Sequence, residues 1–233
     1  DADWKSDGVV SAKRSVRQAI CCKAIIDTKQ TAAIADLSGA AFSPASCGSQ
    51  EFQFTVVGNS PKQATEILKT EVLPLPMVFK GKSYPVTRYT FSFSLKDSSY
   101  ASLMEVEQMA RSVTWDPDQV DSSDLLWYIP QQTIRSEMGY QGRSASVREL
   151  PESAFKPKGI DNIWVLGPCA DMPRDVATTV MQPAQAIFLC ELLGEQIAGQ
   201  VKKITTFPSG VKVKQSKENA FNYGRIGEVL QPL

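Results

Sequence analysis

No histidine occurs anywhere in the chain. The commonest general base near neutral pH and the commonest nitrogen ligand for metals are therefore both missing, and hydrolytic triads that rely on imidazole are excluded. Five cysteines, Cys21, Cys22, Cys47, Cys169 and Cys190, include no C-x-x-C pair, so neither the spacing nor the number favours a zinc site. Most of them read as small buried apolar residues, with a Cys21 or Cys22 pairing to Cys47 left open for an oxidising compartment. Two stretches mark where a ligand could sit. Ala24-Ile25-Ile26-Asp27-Thr28 and Ile160-Asp161-Asn162-Ile163-Trp164-Val165-Leu166-Gly167-Pro168-Cys169 each read as a buried strand stopped by a loop. An apolar run halted by Asp-Thr or Gly-Pro has the pattern of a central α/β strand, and ligands sit in the crevice beyond such carboxyl ends.

The elements that must position these loops follow from patterning. The chain has 233 residues, 42% of them apolar, enough to bury a sizeable core. Its 25 basic and 25 acidic side chains balance, so no global field recruits nucleic acid or anionic lipid, and a small molecule or a protein is the expected partner. No stretch approaches the ~20 apolar residues of a membrane span; the nearest, Ala184 to Leu193, is interrupted by Gln185 and Glu191. Asp7-Gly8 with Val9-Val10, a basic turn at Lys13-Arg14 and the run Ala19 to Ile26 predict a β-hairpin leading into a buried strand. Thr31 to Leu37 predicts a short helix closed by Ser38-Gly39, and Ser43 to Gln50 a loop.

From Glu51 onward, Phe52, Phe54 and Val56 alternate with polar residues, as do Tyr89, Phe91, Phe93 and Leu95, predicting two half-buried strands. Ser60-Pro61-Lys62-Gln63 has the form of a capping box opening a helix with Ala64, Ile67, Leu68 and Val72 on one stripe, ended by Pro74 and Pro76. Asp97-Ser98-Ser99 predicts the cap of a further helix carrying Leu103, Met104, Val106, Met109 and Ala110, followed by a Trp115-Asp116-Pro117 turn. Leu125 to Ile129 is an apolar cluster halted by Pro130, in which Trp127 and Tyr128 read as core or as a pocket wall. Arg135 to Arg148 reads as a loop. Pro183 starts a long helix to about Val201 that is apolar over most of its circumference, predicting full burial. Val211-Lys212-Val213-Lys214 predicts an edge strand.

Several of these pieces together resemble bacterial FAD-dependent oxidoreductases of the glutathione-reductase-like fold. Ala24 to Phe42 is similar to that family's apolar strand, Asp-Ala-Thr-Gly-Asp turn and closing Ala-Gly-Ala-Pro-Phe, with Asp27, Leu37, Gly39, Ala40 and Phe42 matching; the family's Thr-Gly-Asp falls on Lys29-Gln30-Thr31. Ile160 to Gly167 resembles its Ile-Asp-Asn-Leu strand ending in Gly-Arg or Gly-Asp beside the flavin, with Pro168 in place of the charged residue. Val180-Met181-Gln182-Pro183 resembles the Arg-Val-Met-Pro that opens a helix aimed at the isoalloxazine, where free N–H groups stabilise a reduced flavin. Phe54 to Pro130, with its Trp-Asp-Pro turn, resembles the substrate domain.

The resemblance implies a mixed α/β (α+β) fold: a partial FAD-binding-type sheet with a β-hairpin, plus a β-rich substrate-type domain. Residues 1–50 and 151–201 would form the FAD-binding-like part, 51–150 the substrate-type part and 202–233 a tail. It implies FAD as cofactor, contacts at Asp27, Thr28, Gly167, Pro168, Cys169, Met181 and Gln182, and hydride transfer from a small-molecule substrate. Asp171, Arg174 and Asp175 are the polar groups nearest the implied flavin edge, and Arg135, Arg143 and Arg148 are candidates for clamping an anion. The G-x-G-x-x-G segment that seats a dinucleotide pyrophosphate is absent from the sequence, so a companion chain or a preceding segment is expected to supply it. The alternative is a non-catalytic structural or ligand-binding module on the same frame.

Overall fold

A computed structural model of the chain describes residues 8–12, 17–44, 48–58, 61–97, 99–144 and 146–204. Helix and sheet are mixed in it, as the patterning predicts. Strands β1 (Gly8–Ala12) and β2 (Arg17–Cys21) form the expected antiparallel hairpin. The continuous strand expected from Ala19 to Ile26 is broken. β2 ends at Cys21 with Ile20 52% exposed, and β3 (Ile25–Asp27) begins afresh where the chain enters the core. Helix α1 (Ala33–Leu37) ends at Ser38, and Gly39 turns the chain in the left-handed region at φ 84°, which glycine adopts without steric penalty.

The larger sheet is antiparallel, in the order β5 (Ile67–Val72), β8 (Val86–Leu95), β4 (Gly48–Val57) and β9 (Asp121–Ser122). β4 (Gly48–Val57) and β8 (Val86–Leu95) run past each other over their full length, from Gly48↔Leu95 to Val57↔Val86. Their alternation works as predicted: Phe52, Phe54, Val56, Tyr89, Phe91 and Phe93 share one buried face. Helix α2 (Tyr100–Thr114) covers that face with Val106 and Ala110. The Ser99 Oγ accepts from the Ser102 N–H at 3.2 Å, capping the helix as its sequence indicates. β9 (Asp121–Ser122) closes the far edge, and β6 (Met77–Phe79) with β7 (Lys82–Tyr84) makes an exposed hairpin that the periodicity did not reveal.

The helix predicted from Pro61 to Val72 is not formed. Residues 61–64 are irregular and Ile67–Val72 is strand β5, paired with β8. The open edge of β8 offers a ladder of backbone partners, and Tyr89, Asp116 and Trp115 hold Lys62 outside any helix. Lys62 N donates to the Tyr89 hydroxyl, and its Nζ meets the Asp116 carboxylate at 3.1 Å and the Trp115 carbonyl at 2.6 Å. Tertiary pairing outweighs a capping signal that amounts to ~1 kcal/mol.

After Tyr128 the chain leaves this core, and Ile129, Val147 and Leu150 pack with the second half of the molecule. There β10 (Ile163–Val165) lies parallel to β3. Ile163 and Val165 face Ile25, Ala35 and Ile134, whereas Trp164 turns to Phe155, Val176 and Leu189. β10 is thus buried on both faces, as a central strand should be, yet no third strand joins the pair among the described residues. Helices α3 (Arg174–Val180) and α4 (Pro183–Lys203) cover the Trp164 face. Only one stripe of α4 is buried, Leu189, Leu193 and Ile197. Ile187 is 68% exposed and Phe188 58%, so the expected full burial is corrected to a single packed face. No single helix among the described residues is long and apolar enough to cross a membrane. The edge strand expected at Val211 to Lys214 lies outside the described residues.

Candidate functional site

The two strand ends singled out in the sequence lie side by side. Val165 is in register with Asp27, and the Leu166 N–H donates to the Asp27 carbonyl at 2.9 Å. One residue on, the loops press together so closely that a Cβ at Gly167 would stand 3.1 Å from the Lys29 carbonyl oxygen. Glycine is what lets both chains turn outward at this level.

Asp27 organises the first loop. Its side chain is fully buried; Oδ1 accepts from the Lys29 N–H at 3.0 Å, and Oδ2 from Ile34 and Ala35 at 2.7 and 3.0 Å. The Ile34 and Ala35 amides are free donors at the start of α1, satisfied by a carboxylate whose charge also suits a helix N-terminus. The Asp27 carboxylate, expected to contact a cofactor, is spent on backbone amides. Thr28 is exposed beside it.

Gly167 and Pro168 are buried in the turn, and the Cys169 Sγ–H donates to the Gln30 carbonyl at 3.3 Å. Burial pushes the Cys169 thiol up to about 12, with the Arg174 charge opposing and Asp27 reinforcing. It is a neutral thiol and no nucleophile. Met181 packs on the core between α3 and α4, and the Gln182 Nε2 donates to the Thr178 carbonyl at 3.2 Å. The structure thus brings Asp27, Thr28, Gly167, Pro168 and Cys169 together, while Met181 and Gln182 serve the α3–α4 corner.

Of the other polar candidates, Asp171 is structural. Its Oδ2 accepts from Ser136 N at 3.0 Å and Ser136 Oγ at 2.7 Å, and Gly139 lies against the same carboxylate. Asp175, Arg135, Arg143 and Arg148 are exposed. Arg174 is half-buried, and its Nη1 is shut away from solvent without a hydrogen-bond partner. Desolvation lowers its pKa, with Cys169 opposing.

Between the two halves lies a cavity of about 350 Å³, toward the small end of ligand pockets. The parallel pair's side contributes Thr31, Asp36, Phe42 and Cys169; the antiparallel sheet and its exit contribute Gln50, Leu95, Asp97 and Tyr128. Two glutamines stitch the walls. Gln30 Nε2 donates to the Tyr128 carbonyl at 2.7 Å, and Gln50 Nε2 to the Ile129 carbonyl at 2.7 Å. Burial raises the Tyr128 hydroxyl to about 12, so it remains a neutral phenol. Asp97 is held down at about 2, chiefly by hydrogen bonds from Ser99 and Ser102, and is a carboxylate at any working pH. Gln50, Asp36 and Asp97 were not foreseen as site residues. Each is ordinary in its own segment, and only folding brings them together.

FAD makes definite demands on such a site: cations or free amides for its two phosphates and a close backbone approach at the strand turns. No lysine or arginine lines the cavity, two carboxylates do, and the Gln30 side chain spans the crevice where the resembled family has a turn glycine. The described residues therefore fit a small ligand and do not by themselves fit the cofactor. No family model, curated protein or solved structure matches the chain.

Proposed function

We propose that this chain is the carboxyl-terminal, substrate-binding part of a FAD-dependent oxidoreductase-like protein, in which a companion segment seats the pyrophosphate. The parallel pairing of β3 with β10 carries this reading. Parallel strands belong to larger sheets covered on both faces, and here the pair has three registered positions and no third strand among the described residues. Both strand ends open on the side where α/β sheets take ligands, next to a cavity completed by an antiparallel sheet. In that frame the chain's own residues bind and orient substrate: Gln50 accepts a hydrogen bond, Phe42 and Tyr128 supply apolar wall, and Asp36 and Asp97 set the charge.

The test is the intact mass and absorbance of the native product. The reading predicts a longer polypeptide or a co-purifying chain with flavin absorbance near ~450 nm, and a colourless protein when residues 1–233 are produced alone. A native product with no companion and no uptake of added FAD would contradict it. That outcome would leave the second reading, a ligand-binding module without flavin, which the Gln30 bridge and the acidic cavity wall favour.

A further inference from the structure

We infer that the junction cavity takes a small molecule bearing a protonated amine on an apolar body, with an N–H or O–H donor that meets Gln50. This rests on the proposal that the cavity is the substrate site and adds the chemical class of what enters.

Gln50 is only 5% exposed. Its Nε2 faces the Ile129 carbonyl, and because a carbonyl can only accept, the amide orientation is settled. Oε1 is left as a buried acceptor without a partner, on a residue that lines the cavity. Buried acceptors are nearly always satisfied, so this one calls for a donor from the occupant.

Charge selects the rest. Asp36 and Asp97 line the cavity and no lysine or arginine does. The nearby Lys96 is paired with Glu105 at 2.7 Å. Asp97 stays ionised through its hydrogen bonds from Ser99 N at 2.9 Å and Ser102 Oγ at 2.7 Å. An anion entering would meet two like charges, whereas an ammonium would gain from both. Phe42, Leu95, Leu103 and Pro130 supply the apolar body with its contact surface.

The experiment is calorimetric titration of the full chain with phenethylamine and, as a same-shape anion, phenylpropionate, at low salt. Saturable binding of the amine with no detectable binding of the acid is expected. Asp36→Asn and Asp97→Asn should each weaken the amine about 3-fold, an effect that fades as salt screens exposed charges. Gln50→Leu should weaken it about 10-fold. Thermal unfolding checks each variant, and Asp36→Asn, on the exposed side of α1, keeps the test valid should Gln50→Leu fail to fold. Equal or tighter binding of phenylpropionate, no binding of the amine, or an amine affinity indifferent to all three substitutions would overturn the inference. Flavin is not needed for this readout. Amine binding to a native product free of flavin would sink the oxidoreductase reading alone, and flavin without amine binding would sink this inference alone.

Discussion

β4 and β8 meet along ten registered positions and bury one alternating face, whereas β3 and β10 meet along three, with β10 buried on both sides and β3 leaving Ile26 exposed. The first pairing is specified locally, because a slip of one residue would turn Phe52, Phe54, Phe91 and Phe93 out to solvent. The second has almost no register information of its own. It is held by contacts from far along the chain: Asp27 on the α1 amides, Gly167 against Lys29, and Trp164 under α3 and α4. The self-sufficient sheet provides a rigid wall, and the loops after the parallel pair, free of ladder constraints, provide the part of the cavity that can be shaped for a ligand.

Removing a large buried side chain from either half should have the largest effect. Phe91→Ala and Trp164→Ala are each expected to cost about 3–5 kcal/mol by urea unfolding. Both residues are almost fully buried, and the Trp164 indole N–H also donates to Glu152 at 2.9 Å. The Gln30 and Gln50 stitches link the halves, so both substitutions should shift one common transition; two separate transitions would break the comparison. Asp27→Asn comes next, at about 1–3 kcal/mol, because an amide cannot accept at both ends and orphans buried N–H groups. Loss of amide protection at Ile34 and Ala35 would confirm the cause.

Gly167→Ala should cost about 1–3 kcal/mol by overpacking against the Lys29 backbone, with faster exchange of the Leu166 amide that bridges the strand ends. The smallest effect belongs to the antiparallel half. Asp97 titrates at about 2 in the folded chain against 3.8 unfolded. Its contribution is complete above 3.8 and is lost as pH falls through that window toward 2. Asp97→Asn should remove this acid-limb slope, which acid titration of thermal stability followed at low salt would detect.

Legibility follows the same division. The alternation of Phe52 to Val56 and Tyr89 to Leu95 announces strands because one face meets water, and Ser99 announces the α2 cap because its partner is three residues away. The strand ends at Thr28 and Gly167 were readable from apolar runs halted by turn residues. Ile67 to Val72 was not readable, since its apolar spacing suits either a helix or a strand and the free edge of β8 decides. The cavity escaped for a related reason. Gln50, Asp36 and Asp97 carry no motif, and their convergence depends on the packing of one half on the other. Asp27 was recognised as a strand-end residue, but its partners were not readable, because nothing in the residue type tells whether a carboxylate will face a ligand or the first amides of the next helix.

The claim that both halves share one ligand site is tested most directly by an amide-resolved NMR titration of the chain with phenethylamine. The account predicts that Thr31 and Ala33 on the parallel-pair side shift together with Gln50 and Leu95 on the antiparallel side, along one saturation curve. Shifts confined to one half, or curves with different midpoints in the two halves, would contradict it.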